Sequence, residues 1–266
     1  MPYAINNNIR VFYEVTGEGR PLVLLHANPC SNRMWLYQIA TFSQWFRVIT
    51  PDMRAYGRSD KPTTPYPFCE LVDDVLAVCE TENVKSGILA GASMGSKIAF
   101  QLLAENSGIF DASVHIGGNA LRGKSYDNRI KGYESVGSKV RSYRETHVTE
   151  LFALDFIKTD LGKYLISMLL NDSENLSGRA IAQLFRSFDN VDLLDKISKL
   201  DKPTLILNGE FDSSLPGAQN TIKFIPKSKH VIIKNAGHLC VLEKPDLVNA
   251  AIKTFFCENN ILPHIF

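Results

Sequence analysis

Gly87-Ile-Leu-Ala-Gly-Ala-Ser93-Met-Gly-Ser-Lys-Ile-Ala-Phe-Gln-Leu-Leu-Ala-Glu105 contains a short apolar run, a tight turn and an amphipathic pattern in succession. Gly87-Ile-Leu-Ala90 reads as a buried strand, and Ile98, Ala99, Leu102 and Leu103 place a helix over Lys97–Glu105. Between them stands Gly91-Ala-Ser93-Met-Gly95, the Gly-x-Ser-x-Gly pattern in its strand–turn–helix setting. The serine of so sharp a turn needs small residues on both sides, because a side chain at 91 or 95 would strike the neighbouring strand or helix. The turn lifts the Ser93 hydroxyl above the sheet and aims the Met94 backbone N–H at an incoming carbonyl oxygen. The helix N-terminus favours the negative charge that develops there.

Outward from this centre the chain keeps alternating. Ile9–Thr16 reads as a half-exposed strand, Pro21–His26 as one buried on both faces, and Phe46–Thr50 as the next. Helices are predicted over Trp35–Phe42 and along Leu71, Val72, Val75, Leu76 and Cys79. Ala112–Ile116 is a further strand. From Asn119 to Asn190 the chain is helix-like and rich in aromatics, with no β-rich run. Alternation then resumes with strand Thr204–Leu207, a helix near Ala218–Phe224, strand His230–Ile233 and a closing helix at Leu247–Phe256. Strands separated by helices imply βαβ units, so the fold class is α/β with a mostly parallel sheet, interrupted by one helical insertion.

A serine hydroxyl needs a base, and the base needs an orienting group. His238, in Asn235-Ala-Gly-His238, follows the last strand and so lies at the carboxyl edge of the sheet, where open α/β sheets place their sites. Asp212 closes Asn208-Gly-Glu-Phe-Asp212 just after strand Thr204–Leu207, at the same edge. The order serine, aspartate, histidine suits a nucleophile elbow of this type. Glu210 is the rival acid. The position after the elbow helix's following strand, His115-Ile-Gly-Gly-Asn119, offers no carboxylate.

With these pieces placed, the chain resembles the α/β-hydrolase superfamily from Val11 to Phe256. His26-Ala-Asn-Pro29 is similar to the family's His-Gly-x-Pro loop, and Pro51-Asp-Met-Arg-Ala-Tyr-Gly-Arg-Ser-Asp60 to its Asp-x-x-Gly-x-Gly-x-Ser segment. Ala236-Gly-His238 and Glu243-Lys-Pro245 match its closing motif. The resemblance implies a hydrolase core over 1–118 and 191–266, with 119–190 as a helical cap roofing the pocket. It also implies an oxyanion hole made by the backbone N–H groups of Asn28 and Met94. Ala27 and Ala55 stand where the family has glycine, so strain or a local difference is expected at both. Asn28-Pro-Cys-Ser31 resembles haloalkane dehalogenases, but those enzymes and epoxide hydrolases use aspartate where this chain has Ser93.

The expected reaction is acyl transfer to water on a small ester or lactone, with no metal or organic cofactor. The same triad also serves carbon–carbon bond hydrolysis of β-diketone-like ring-fission products and perhydrolysis. Plant hormone receptors of the superfamily keep the triad as ligand-sensing modules.

Composition narrows the partners. The 266 residues carry a formal net charge of +1, which gives no reason to expect nucleic acid or an acidic membrane. No run approaches the roughly 18 apolar residues of a membrane helix. Met1–Asn6 lacks the pattern of a secretory signal, and five scattered cysteines without a Cys-x-x-Cys pair suit a reducing cytoplasm. A small-molecule substrate is expected, with the chain a monomer or homodimer. Arg122, Lys124, Arg129, Lys131, Lys139, Arg141 and Arg144 outnumber Asp127, Glu134 and Glu145 at the front of the insertion. Two readings compete, a preference for acidic substrates and a solvated helix face, and the second is expected. His26 is read as packing beneath the oxyanion loop and His115 as a core histidine. His147, His230 and His264 have no motif around them. Cys30 is placed near the pocket, where alkylation would block access, and Arg54 and Arg58 are expected to pair with acidic groups.

Overall fold

The computed structural model describes residues 3–105, 108–121 and 125–262. Eight strands form one sheet: β1 (Tyr3–Asn6), β2 (Ile9–Thr16), β3 (Arg20–Leu25), β4 (Phe46–Pro51), β5 (Gly87–Ala92), β6 (Phe110–Ile116), β7 (Thr204–Gly209) and β8 (Ser228–Ile233). Their spatial order is β1-β2-β4-β3-β5-β6-β7-β8. The β1–β2 and β2–β4 pairs are antiparallel and all other neighbours are parallel.

The unbroken apolar runs are the central strands. On β3, Val23 and Leu25 face one apolar layer while Leu22 and Leu24 face the other. A strand covered on both faces has no solvent side, hence no polar alternation. Helices Cys69–Thr81 and Met94–Glu105 pack on the first layer through Leu71, Val75, Ile98 and Leu102. Helices Leu36–Phe42 and Pro245–Glu258 pack on the second, where Phe256 meets Phe42 and Phe46 at ring distances of 5.8 and 5.5 Å. Among the described residues no helix is long and apolar enough to cross a membrane.

Between β6 and β7 the described chain forms helices and short 3₁₀ turns, the main ones Asp127–Val136, Val140–Glu145, Asp160–Asn171 and Gly178–Ser187. Their apolar residues join both layers: Ile130, Tyr133, Ile181 and Phe185 extend the first, and Val148, Phe152, Leu165 and Leu169 the second.

Most elements shift by one to three residues at an end from the sequence reading, and two differences stand out. Strand β1 was not anticipated; it forms a hairpin with β2 across Asn7 and Asn8, whose φ angles of 45° and 71° suit a two-residue turn. The elbow helix begins at Met94 instead of Lys97, since the Lys97 N–H already donates to the Ser93 carbonyl (3.2 Å). His115 is a core residue as read. It stacks on Phe100 at 3.6 Å and bonds the hydroxyls of Ser96 (3.0 Å) and Ser113 (3.1 Å), and burial lowers its pKa to about 3. Arg54 is buried and forked onto Asp74 (2.6 and 2.7 Å), with Glu70 at 2.5 Å. Arg58 bonds Glu14 at 2.5 Å.

Candidate active site

Ser93 sits at the carboxyl end of β5 with φ of +51°, its N–H donating to the Ile116 carbonyl at 2.7 Å. A non-glycine residue held in this conformation is strained, and the flanking glycines show why it is tolerated. A Cβ on Gly91 would collide with the backbone of Gly95 and Ser96. One on Gly95 would collide with the carbonyl oxygen of Leu25 on β3. The elbow closes only because both lack side chains.

The loops after β7 and β8 bring the other two groups together. Phe211 N–H donates to the Ala236 carbonyl (2.9 Å) and Glu210 N–H to that of Ile233 (2.9 Å), so the aspartate and histidine loops run side by side. Gly209 permits this approach, since a Cβ there would collide with the Gly237 carbonyl. His238 Nδ1 lies 2.8 Å from Asp212 Oδ1. A proton on Nδ1, donated to the carboxylate, leaves Nε2 as an acceptor.

Asp212 is itself held on every side. Oδ1 also accepts the Ser214 N–H (2.8 Å), two residues on, as in an Asx turn. Oδ2 accepts the Ser214 hydroxyl (2.9 Å) and Asn208 Nδ2 (2.9 Å). Asn208 Oδ1 lies 3.1 Å from His230 Nε2 at the edge strand. Burial alone would raise the Asp212 pKa, but the bond from His238, its charge and the Ser214 and Asn208 donors together lower it to about 2. Glu210 is engaged elsewhere, with Lys234 Nζ at 2.7 Å and the Asn235 N–H at 3.0 Å. The strand after the elbow helix leaves no room for a rival acid: Gly117 takes φ of +59°, and a Cβ there would lie 3.1 Å from the His238 ring.

Ser93, Met94, Asn28 and His238 line one cleft of about 600 Å³, open to solvent, with Asp212 behind His238. Among the described residues no backbone acceptor takes the Asn28 or the Met94 N–H, and both residues line the cleft. The Asn28 side chain is fixed: its Oδ1 accepts the hydroxyls of Tyr56 (2.7 Å), from the loop after β4, and Tyr133 (3.1 Å), from helix Asp127–Val136. His26 locks the loop from below, its Nδ1 on the Ala27 carbonyl (2.9 Å) and its Nε2 accepting the Met53 N–H (2.9 Å). Fully buried, its pKa is lowered, and it is a strut as expected.

Five details escape or correct the sequence reading. Ala55 takes the strained conformation (φ 74°), whereas Ala27 has no positive φ, so strain is stored at one of the two alanines. Cys30 is buried, and burial raises its thiol pKa to about 12, so it is poorly placed for alkylation. Glu243 is more than part of a motif: its Oε2 accepts the N–H groups of Gly237 (2.9 Å) and Ala153 (3.3 Å), tying the histidine loop to the helical segment. The basic front divides: Arg129, Lys131 and Lys139 are exposed as read, Arg129 at the rim of the cleft, but Arg144 is 2% exposed. Arg122, Lys124 and His264 lie outside the described residues. Lys97, buried one turn beyond Ser93, also lines the cleft; burial lowers its pKa to about 8, and its Nζ donates to the Leu121 carbonyl at 2.7 Å.

Comparison with known proteins identifies the family. The profile of the alpha/beta hydrolase fold family matches residues 20–245. An AB hydrolase superfamily protein, YisY of Bacillus subtilis, is 31% identical over 93% of this chain and 96% of its own. The (E)-2-((N-methylformamido)methylene)succinate hydrolase of Acinetobacter baylyi is 26% identical over 94% and 95%. The crystal structure of the enol-lactonase from Burkholderia xenovorans superposes with a TM-score of 0.89 at 22% identity, over 96% of this chain and 99% of that one. A match across this span, on a sheet of this order with a serine elbow at its centre, places the chain in the alpha/beta hydrolase family of enzymes.

Proposed function

We propose that the chain is a serine hydrolase that cleaves a small ester or lactone through an acyl-enzyme, with residues 119–190 serving as its cap. The observation that carries this reading is the His238–Asp212 pair, joined through Nδ1 so that Nε2 is not engaged by the carboxylate, with His238 sharing a cleft with the strained Ser93. His238 Nε2 takes the Ser93 proton while Oγ bonds to the substrate carbonyl carbon, and the Asn28 and Met94 N–H groups hold the oxygen. Collapse breaks the bond to the leaving alkoxide, which receives the proton from His238. Water, deprotonated by His238, then attacks the acyl-enzyme and Ser93 leaves with the proton returned.

A fluorophosphonate probe and a panel of chromogenic short-chain esters and lactones test this on the wild type and Ser93→Ala. Labelling and turnover by the wild type, with both lost in the variant by several powers of ten, are expected. Equal labelling of both proteins, or an inert wild type, would remove Ser93 as nucleophile. Including a β-diketone-like ring-fission product in the panel separates ester from carbon–carbon cleavage.

A further inference from the structure

A second cleft, of about 420 Å³, adjoins the first; Asn28 and Arg129 line both. Its lining includes Arg144, the penultimate residue of helix Val140–Glu145, which points inward with Val140 one turn before it. Arg144 is 2% exposed. Nη1 donates to Ser173 Oγ at 2.9 Å, while Nε and Nη2 are buried and, among the described residues, bond to nothing. Nor does any described carboxylate pair with Arg144, Asp172 being taken by Arg33 (2.7 Å) and Ser31 (3.0 Å). Arginine keeps its charge wherever it is placed, and a buried charge without a counter-ion is unfavourable. Such a group persists where an anion arrives to meet it.

We propose that this second cleft holds the carboxylate of the substrate, so that the ester or lactone cleaved at Ser93 is an acidic one. The inference rests on the serine-hydrolase reading for its catalytic half, while the anion site itself rests on Arg144. Nε and Nη2 are the two donors on one edge of a guanidinium, and they match the two oxygens of a carboxylate as a fork. The surroundings agree in sign. Arg129, exposed over the Phe185 ring at 5.2 Å, and the buried Lys97 add positive charge, against the single lining carboxylate of the exposed Glu150. A substrate with its carbonyl over Ser93 extends past Asn28, and its acidic end lies between Tyr133 and Arg144. A phosphate could meet the same fork, so the test compares the two anions.

The kinetic test pairs mono-4-nitrophenyl succinate with the neutral 4-nitrophenyl butyrate. The wild type is expected to favour the acidic ester by about tenfold or more in kcat/KM, mainly through KM. Arg144→Gln should lower that ratio towards one, and Arg144→Lys should restore part of it. A wild-type ratio of one or below, or a loss in Arg144→Gln that is equal for both esters, overturns the proposal. Because a buried arginine can matter to folding, free succinate is also titrated against wild-type hydrolysis of the neutral ester. Competitive inhibition supports the site, and no inhibition, or stronger inhibition by inorganic phosphate, overturns the carboxylate assignment. Calorimetry of succinate with Ser93→Ala separates the two readings. Binding that disappears in Ser93→Ala/Arg144→Gln keeps the anion site even if no ester is hydrolysed. Ester turnover without acid preference or succinate binding keeps the hydrolase and removes the site.

Discussion

Replacing Asp212 by asparagine exchanges one atom and removes one charge, and the surrounding donors dictate the consequence. Oδ1 accepts from His238 and the Ser214 N–H, Oδ2 from the Ser214 hydroxyl and Asn208. An amide must turn its NH₂ towards one of these pairs. Facing Asn208, it opposes another NH₂, and Asn208 is held from turning over by His230 at its oxygen. Facing His238, it forces the imidazole proton onto Nε2, where the ring can no longer accept from Ser93. Ester turnover should therefore fall by roughly 10⁴. Stability should fall as well. The Asp212 pKa of about 2, against an ordinary 3.8, corresponds to a contribution on the order of 2 kcal/mol at neutral pH. For a chain of this size that is a Tm loss of roughly 4–8 °C. The contribution is present above the ordinary value and lost as pH falls through about 2, so the melting curves of wild type and variant should converge towards acid. Initial rates on a chromogenic ester and melts across pH measure both effects. A variant within tenfold of wild type would refute the assignment, and a large loss in Glu210→Gln instead would move the role to Glu210.

Gly95→Ala sets a Cβ against the Leu25 carbonyl and should destabilise the fold by roughly 3 kcal/mol or more; an unchanged melt would show that the elbow can open. Asn208→Leu removes one of the four bonds to Asp212 and should lower kcat by about tenfold at constant KM, and a KM effect alone would contradict an orienting role. His115 is held neutral down to about pH 3, while the unfolded chain takes up its proton near 6.5. Stability should therefore fall as the pH is lowered from 6.5 towards 3, by about 1.4 kcal/mol per unit from this site. The slope should flatten in His115→Asn, and coincident slopes would refute the buried neutral state.

Much of this was legible because the informative residues are local. Strands buried on both faces print continuous apolar runs, and the elbow prints two glycines whose absent side chains are needed for closure. Strand β1 was not legible, as four edge residues carry little pattern, although Asn7-Asn8 before an alternating stretch is itself a turn signal. Arg144 escaped for a different reason. Charge counts along a helix cannot show which side faces inward, and here Val140 and Val148, four residues either side, mark the buried side that Arg144 shares. Asn208 and Ser214 were within or beside the quoted aspartate segment. Their roles depend on a turn bringing them onto Asp212, which composition does not record.

The bond pattern of Glu243 bears on how this scaffold can be re-engineered. One carboxylate oxygen receives the N–H groups of Gly237, next to His238, and Ala153, in the helical segment, while the Leu239 N–H donates to the Leu151 carbonyl at 2.9 Å. Transplanting a foreign helical segment onto this core therefore replaces part of the mounting of the histidine. A chimaera that exchanges 119–190 inherits a correctly set His238 only if the donor segment presents an N–H to position 243 and a carbonyl to position 239. Libraries that randomise the segment should hold residues 151–153 fixed.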